Sequence, residues 1–225
     1  MRITLASYNI HSCRGIDGKY DPERVLAVLH ELQADVIALQ EVDSREHRGL
    51  ELLQCIGAEL KLEPIAGPTL LKHTGHYGNG ILTRFPAKDV RRIDLSFPER
   101  EPRGALDVEL DCQGNSLQII ATHLGLRPSE RREQVKSVME RCRTDYCALL
   151  GDLNEWFLWG RPLRWLKHIF GPTPHLPTFP SRFPVFALDR IWMHPHSAML
   201  SLQVHNTPLA RKASDHLPIK AVIEW

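Results

Sequence analysis

The stretch "CALLGDLNEW", residues 147–156, decides the fold: a short apolar run stops at a glycine, then a carboxylate and a carboxamide follow two residues apart. A brief apolar run bounded by a turn residue reads as a buried strand. A rigid sheet fixes a side chain at its strand end while the following loop exposes it, so such ends suit reactive groups. Asp152 and Asn154 read either as an Asx turn or as a delivered pair. Three more strand-like runs end in polar residues: "ITLASYNI" (3–10) carries Asn9, "DVIALQEV" (35–42) carries Gln40-Glu41, and "LQIIATHL" (117–124) carries Thr122-His123. Each ending is a weak signal alone; the set supplies carboxylates, carboxamides and histidine from widely separated segments.

Working outward, Asp21 as N-cap and Pro22 at the first helical position open a helix over 21–32, with Val25, Leu26, Leu29 and Leu32 at helical spacing. Residues 44–60 are expected to form a second helix, with Leu50, Leu53 and Ile56 on one side. Strands are expected at 77–84, 90–97, 104–110 and 117–124, and the short loops between several of them suggest antiparallel pairing. A helix over 128–143, the strand 147–152, a short helix over 161–170, a Pro-rich loop (172–184) and strands at 188–193, 199–205 and 217–225 complete the reading. The segment after the Pro-rich loop is too short for a normal domain. The chain 1–225 is therefore read as a single domain, two sheets packed together with helices outside.

Lys plus Arg is 28 and Asp plus Glu is 27, so net charge does not demand a polyanionic partner. The five cysteines are scattered and form no CxxC, which argues against a disulfide framework and for a reducing, cytoplasmic location. "MRITLASYNIHSC" does not read as a signal peptide, and no apolar run approaches the roughly 18 residues of a membrane span.

Two further polar groups lie near the C-terminus, Asp189 in "LDRIW" and Asp215-His216 in "SDHLPI". Carboxylate oxygens without cysteine suit a hard cation such as Mg²⁺ or Mn²⁺, which shares its shell with substrate phosphate. Histidine beside carboxylate suits proton transfer or phosphate contact. No Gly-x-Ser-x-Gly elbow and no Walker loop are present. Metal-assisted attack of water on a phosphoester is the chemistry that remains.

With "SYNIH", "ALQEV", "GNGILTR", "ATHL", "GDLN", "LDRIW" and "SDHLPI" in this order and spacing, the chain resembles the endonuclease/exonuclease/phosphatase superfamily from residue 3 to residue 222. The resemblance implies an α+β fold, a four-layer α/β/β/α sandwich of two mostly antiparallel sheets flanked by helices, with the site at one end of the sheets. It implies a Mg²⁺-dependent phosphoesterase, more specifically a phosphodiesterase, in which Mn²⁺ substitutes. The substrate would be nucleic acid or a lipid or small phosphodiester. Asn9, Glu41 and Asp215 would form the metal environment, with Glu41 the direct ligand. Asp152 would orient or deprotonate water, Asn154 would position water or phosphate, and Asp189 would buttress His216, which contacts phosphate or acts as base. His123 would bind phosphate or help protonate the leaving group. The chain departs from the pattern at Asn79, where several branches carry a Glu able to pair with the histidine at His123; Asn79 and His123 would then bind phosphate together. Arg103 sits where some members place a basic group near phosphate, and also reads as a surface residue before a strand.

Between residues 154 and 171, Leu163, Trp165, Leu166, Ile169 and Phe170 share one helical side and Arg161, Arg164, Lys167 and His168 the other. This helix either packs its apolar side on the sheet or, with Trp156 beside the site, offers a peripheral lipid or nucleic-acid contact through 156–170. No obligate protein partner is evident. A catalytically inactive sandwich serving as a binding module is the competing reading; such a chain should have lost at least one of Glu41, Asp152, Asn154 and His216.

Overall fold

The computed structural model describes residues 1–72 and 75–225, with side chains over 1–70 and 75–225. In chain order the elements are β1 (Arg2–Asn9), α1 (Pro22–Leu32), β2 (Val36–Asp43), β3 (Glu46–His47), β4 (Leu50–Glu51), α2 (Leu52–Leu60), β5 (Glu63–Lys72), β6 (Gly75–Thr83) and β7 (Ala87–Asp94). They continue as β8 (Gly104–Cys112), β9 (Asn115–His123), α3 (Pro128–Met139), β10 (Cys147–Asp152), α4 (Arg161–Phe170), β11 (Asp189–His194), β12 (Met199–Val204), α5 (Ala210–Ala213) and β13 (Ile219–Glu224).

One sheet has the order β12-β13-β1-β2-β6-β5 and the other β11-β10-β9-β8-β7. Each contains one parallel pair, β1 with β2 and β9 with β10, among antiparallel neighbours. Strand alternation sorts the apolar residues into layers. Ile3 and Leu5 join Val36, Ile81, Leu106, Ile119, Leu150 and Ile191 between the sheets. Ala6 and Tyr8 face the other way, onto Val25 and Leu29 of α1 and Leu52 and Ile56 of α2. Leu149 and Trp192 face Val135 of α3 and Leu163 and Phe170 of α4. The result is the expected α/β/β/α sandwich.

The structure departs from the sequence reading at three places. Residues 44–60 are not one helix: Arg48 and Gly49 both have positive φ, which folds 46–51 into the β3–β4 hairpin, and helix begins only at Leu52. Leu50 accordingly lies exposed rather than on a packed helical side. The strand β5 was not anticipated because Pro64 and Pro68 interrupt its pattern; it sits at a sheet edge, where proline does not break the hydrogen-bond ladder. The helix expected over 128–143 ends at Met139. Asp21 does cap α1, accepting from the Arg24 amide at 3.3 Å. Among the described residues, no helix is long and apolar enough to cross a membrane.

Candidate active site

The site follows from the same alternation that builds the core. Ile3 and Leu5 point between the sheets, so Asn9, on the same parity, does too. By the same count Asn79 continues Ile81, His123 continues Ile119 and Ala121, Asp152 continues Ala148 and Leu150, and Asp189 precedes Ile191. The polar cluster is the end of the inter-sheet layer, with the Ser7–Gln40 side-chain contact of 3.4 Å below it. Glu41 has the wrong parity. A bulge between Leu39 and Val42 turns it, and Glu41 takes φ 58°, a left-handed conformation that costs a non-glycine residue on the order of 1 kcal/mol or more.

At β10 the glycine is a packing requirement. Gly151 has φ 145°, and a Cβ there would stand 1.8 Å from the Thr122 carbonyl oxygen. Beyond it, Asp152 Oδ1 accepts the Asn154 amide at 2.9 Å, an Asx turn that also holds the loop after β10. The Asx-turn reading of this pair is the one this hydrogen bond shows. Asp152 Oδ2 faces three N–H groups: Asn9 Nδ2 at 3.2 Å, His123 Nε2 at 3.5 Å and His216 Nε2 at 3.7 Å. The Asn9 amide also donates to Glu41 Oε1 at 3.0 Å, so one carboxamide bridges two carboxylates from different sheets.

The two histidines are held in opposite states. Arg103 Nη1 lies 3.1 Å from His123 Nδ1, and a guanidinium only donates, so Nδ1 accepts and the proton sits on Nε2. Burial pushes His123 down to about 3, with Arg103 reinforcing the effect and Asp152 opposing it. Burial acts on His216 in the same sense, but Asp189, Asp152 and Asp215 together outweigh it and raise the imidazole to about 10. His216 Nδ1 donates to Asp189 Oδ2 at 2.8 Å, and Thr178 Oγ1 donates to the same oxygen at 2.5 Å.

Asp215 lies at the rim, half-exposed, 3.5 Å from His11 Nδ1. Its neighbour Ser214 ties it to β1 through a 2.7 Å hydrogen bond to the Asn9 carbonyl. Arg103 is buried, which corrects the surface reading. Asn79 donates to the Gly104 carbonyl at 2.8 Å and lies beside Arg103, His123, Thr69 and Tyr77 in a shallow surface depression. Asn154 Nδ2 donates to the Leu124 carbonyl at 2.9 Å, leaving its oxygen as the free end of that side chain. Trp156 is partly exposed, its ring 4.8 Å from Phe186 and 5.7 Å from Phe179, and Phe179 lies 4.8 Å from the His216 ring.

Sequence reasoning missed Tyr77, Thr178 and Phe179. Tyr77 hydrogen-bonds Glu41, and burial raises its hydroxyl. Thr178 and Phe179 sit in the Pro-rich loop, which carries no period; only their proximity to Asp189 in sequence could have drawn attention to them.

The donor set is chemically suited to a hard cation. Its carboxylates and carboxamides offer oxygen, and it includes no thiolate. Asp152, Asp189 and His216 offer atoms within 4.8 Å of one another. Yet Asp189 Oδ2 is already occupied by two donors, and His216, with its pKa raised, keeps both ring protons at neutral pH. In that trio His216 is hydrogen-bonded to Asp189 and stands 3.7 Å from Asp152. Glu41, turned outward by the bulge and paired through Asn9 to Asp152, is the better fit for a divalent ion.

The family model described as "Endonuclease/Exonuclease/phosphatase family" matches residues 6–216. The chain is 32% identical over 163 residues to YbhP, an uncharacterized protein of Escherichia coli strain K12; the match covers 66% of this chain and 63% of YbhP. It spans less than two thirds of the length of the curated relatives it matches. Among solved structures, an endonuclease/exonuclease/phosphatase from Beutenbergia cavernae superposes with a TM-score of 0.80 at 20% identity, covering 99% of this chain and 71% of that one. D. rerio TDP2, complexed with single-strand DNA product, superposes with a TM-score of 0.73 at 16% identity, covering 100% and 99%.

Proposed function

Because this chain belongs to the endonuclease/exonuclease/phosphatase family, we propose that it is a divalent-metal-dependent phosphodiesterase, using Mg²⁺ and accepting Mn²⁺, that hydrolyses its substrate by attack of water. The observation that carries this reading is the convergence of Asn9, His123 and His216 on Asp152 Oδ2, with Glu41 held through the same Asn9 amide. Glu41, with Asn9 and Asp215 completing its surroundings, would hold the ion, which supplies positive charge to a phosphoryl oxygen when bound.

The chain's own residues do the rest. Asp152 accepts the proton of the attacking water; His216, carrying its full complement of protons at neutral pH, is unable to serve as that base and instead donates to a phosphoryl oxygen. Asp189 and Thr178 hold the imidazolium in register. His123 is neutral with its proton on Nε2, so it contributes a hydrogen bond rather than a general acid. Arg103 takes over the orienting part that a carboxylate at Asn79 would otherwise play. Asn154 offers its free oxygen to the water. The five free cysteines support a reducing, cytoplasmic compartment.

Hydrolysis of bis(p-nitrophenyl) phosphate tests the reading. Turnover is expected with Mg²⁺ or Mn²⁺ and none after EDTA. Absence of metal-dependent turnover across aryl diesters, nucleic acids, phospholipids and inositol phosphates would refute it.

A further inference from the structure

Residues 156–188 contain no Asp or Glu, although acidic and basic residues balance over the whole chain. The same segment holds three of the five tryptophans and five of the seven phenylalanines, together with Arg161, Arg164, Lys167 and Arg182. In the fold its helix α4 buries Leu163, Leu166 and Phe170 against β-sheet, so the apolar helix side is already used. What remains exposed is two loop tips, Trp156–Trp159 and Phe183–Phe186, with Trp159 73% and Phe183 70% exposed. The loops meet where Trp156 packs edge-on against Phe186.

Both loops are fastened to the site. Trp156 follows Asn154 by two residues, and the Ser181 amide donates to the Asp215 carbonyl at 2.7 Å. Ser181 Oγ also donates to the Arg211 carbonyl at 3.0 Å, which sets the second loop beside the basic turn that carries Arg211 and Lys212.

We propose that these two loops dock the enzyme on an anionic phospholipid bilayer. Contiguous exposed apolar surface of this kind marks an interaction site, and basic residues flanking aromatics match a negatively charged leaflet. A bilayer accounts for the patch better than single-stranded nucleic acid does. Leu158 and Val185 are exposed in the same tips, and aliphatic side chains insert among acyl chains but offer no face for base stacking. Phe157 and Trp159 lie against each other at 5.4 Å instead of standing apart as stacking platforms. Docked this way, the Asp152 cluster faces headgroup phosphodiesters; that last step, which names phospholipid as the substrate class, rests on the catalytic reading above.

Flotation with phosphatidylcholine vesicles containing about one third phosphatidylglycerol tests the docking. The protein is expected to float with them and not with pure phosphatidylcholine vesicles. The double variant Trp159→Ser/Phe183→Ser is expected to bind at least about tenfold more weakly while hydrolysing bis(p-nitrophenyl) phosphate at the normal rate. No binding to the anionic vesicles, or equal binding by the double variant, overturns the proposal. Tighter binding of a single-stranded oligonucleotide that is lost in the same variant overturns it too, and assigns the surface to nucleic acid. Vesicle binding without turnover of the aryl diester would leave the docking standing and remove only the catalytic reading.

Discussion

Asp152→Asn keeps the side-chain shape and the Asn154 contact but removes the group proposed to accept a proton. Turnover is expected to fall about 10² to 10⁴-fold while the protein still folds, with some loss of melting temperature because the new NH₂ faces the donors that Oδ2 accepted. Near-normal turnover would reduce Asp152 to the turn residue that its hydrogen bond to Asn154 already makes it. At this scale the sequence was informative about which residues converge and silent about how they are paired. Asn9, Glu41 and Asp152 could be picked out because each is a polar residue where an apolar run stops, and Asp189 and His216 because "LDRIW" and "SDHLPI" set polar groups just before one. The Arg103–His123 and Thr178–Asp189 contacts join residues 20 and 11 positions apart through loops without periodicity, so no pattern announces them. His123 illustrates the consequence: the missing charge at Asn79 was legible, but the guanidinium that fixes its tautomer was not.

Elements carry the precision of the site. Gly151→Ala places a methyl group into the Thr122 carbonyl at a φ that disfavours L-residues, and neither strand can retreat without opening the ladder. Loss of more than about 4 kcal/mol in urea unfolding is expected, or no folded protein; a melting temperature near wild type would show that β10 has slack. Helices and strands with clean periods were legible, as for α1, α4 and β10. The β3–β4 hairpin and β5 were not, because positive φ at Arg48 and edge-strand prolines depend on tertiary surroundings. Trp156 belongs to this scale as well. It is 37% exposed and held by ring edges, so Trp156→Ala should cost less than the roughly 3–5 kcal/mol of a fully buried tryptophan. Its KM for a large substrate should rise more than that for bis(p-nitrophenyl) phosphate, the pattern of lost uniform binding. A melting loss of core size, with both activities gone, would make Trp156 a structural residue.

Over the whole molecule, the inter-sheet layer is apolar along most of its length and ionisable at one end, so stability should follow pH through that end. In metal-free protein His123 is depressed to about 3, so its contribution is present above the ordinary histidine value of 6.5 and is lost as pH falls toward 3. His216 is raised to about 10, so its contribution is full below 6.5 and is lost as pH rises through 10. Thermal melting in EDTA should therefore peak near pH 6.5, and Asp189→Asn should flatten the alkaline limb. An alkaline limb unchanged in that variant would contradict the assigned state of His216. The proposed chemistry depends on a divalent ion at Glu41 serving the Asp152 cluster. It is tested most directly by titrating Mg²⁺ into EDTA-stripped protein and following bis(p-nitrophenyl) phosphate hydrolysis, for the native chain and Glu41→Gln side by side. The expected result is activity restored by Mg²⁺, with the half-activating concentration at least about tenfold higher in Glu41→Gln. Activity that survives EDTA, or two superimposable titration curves, would contradict it.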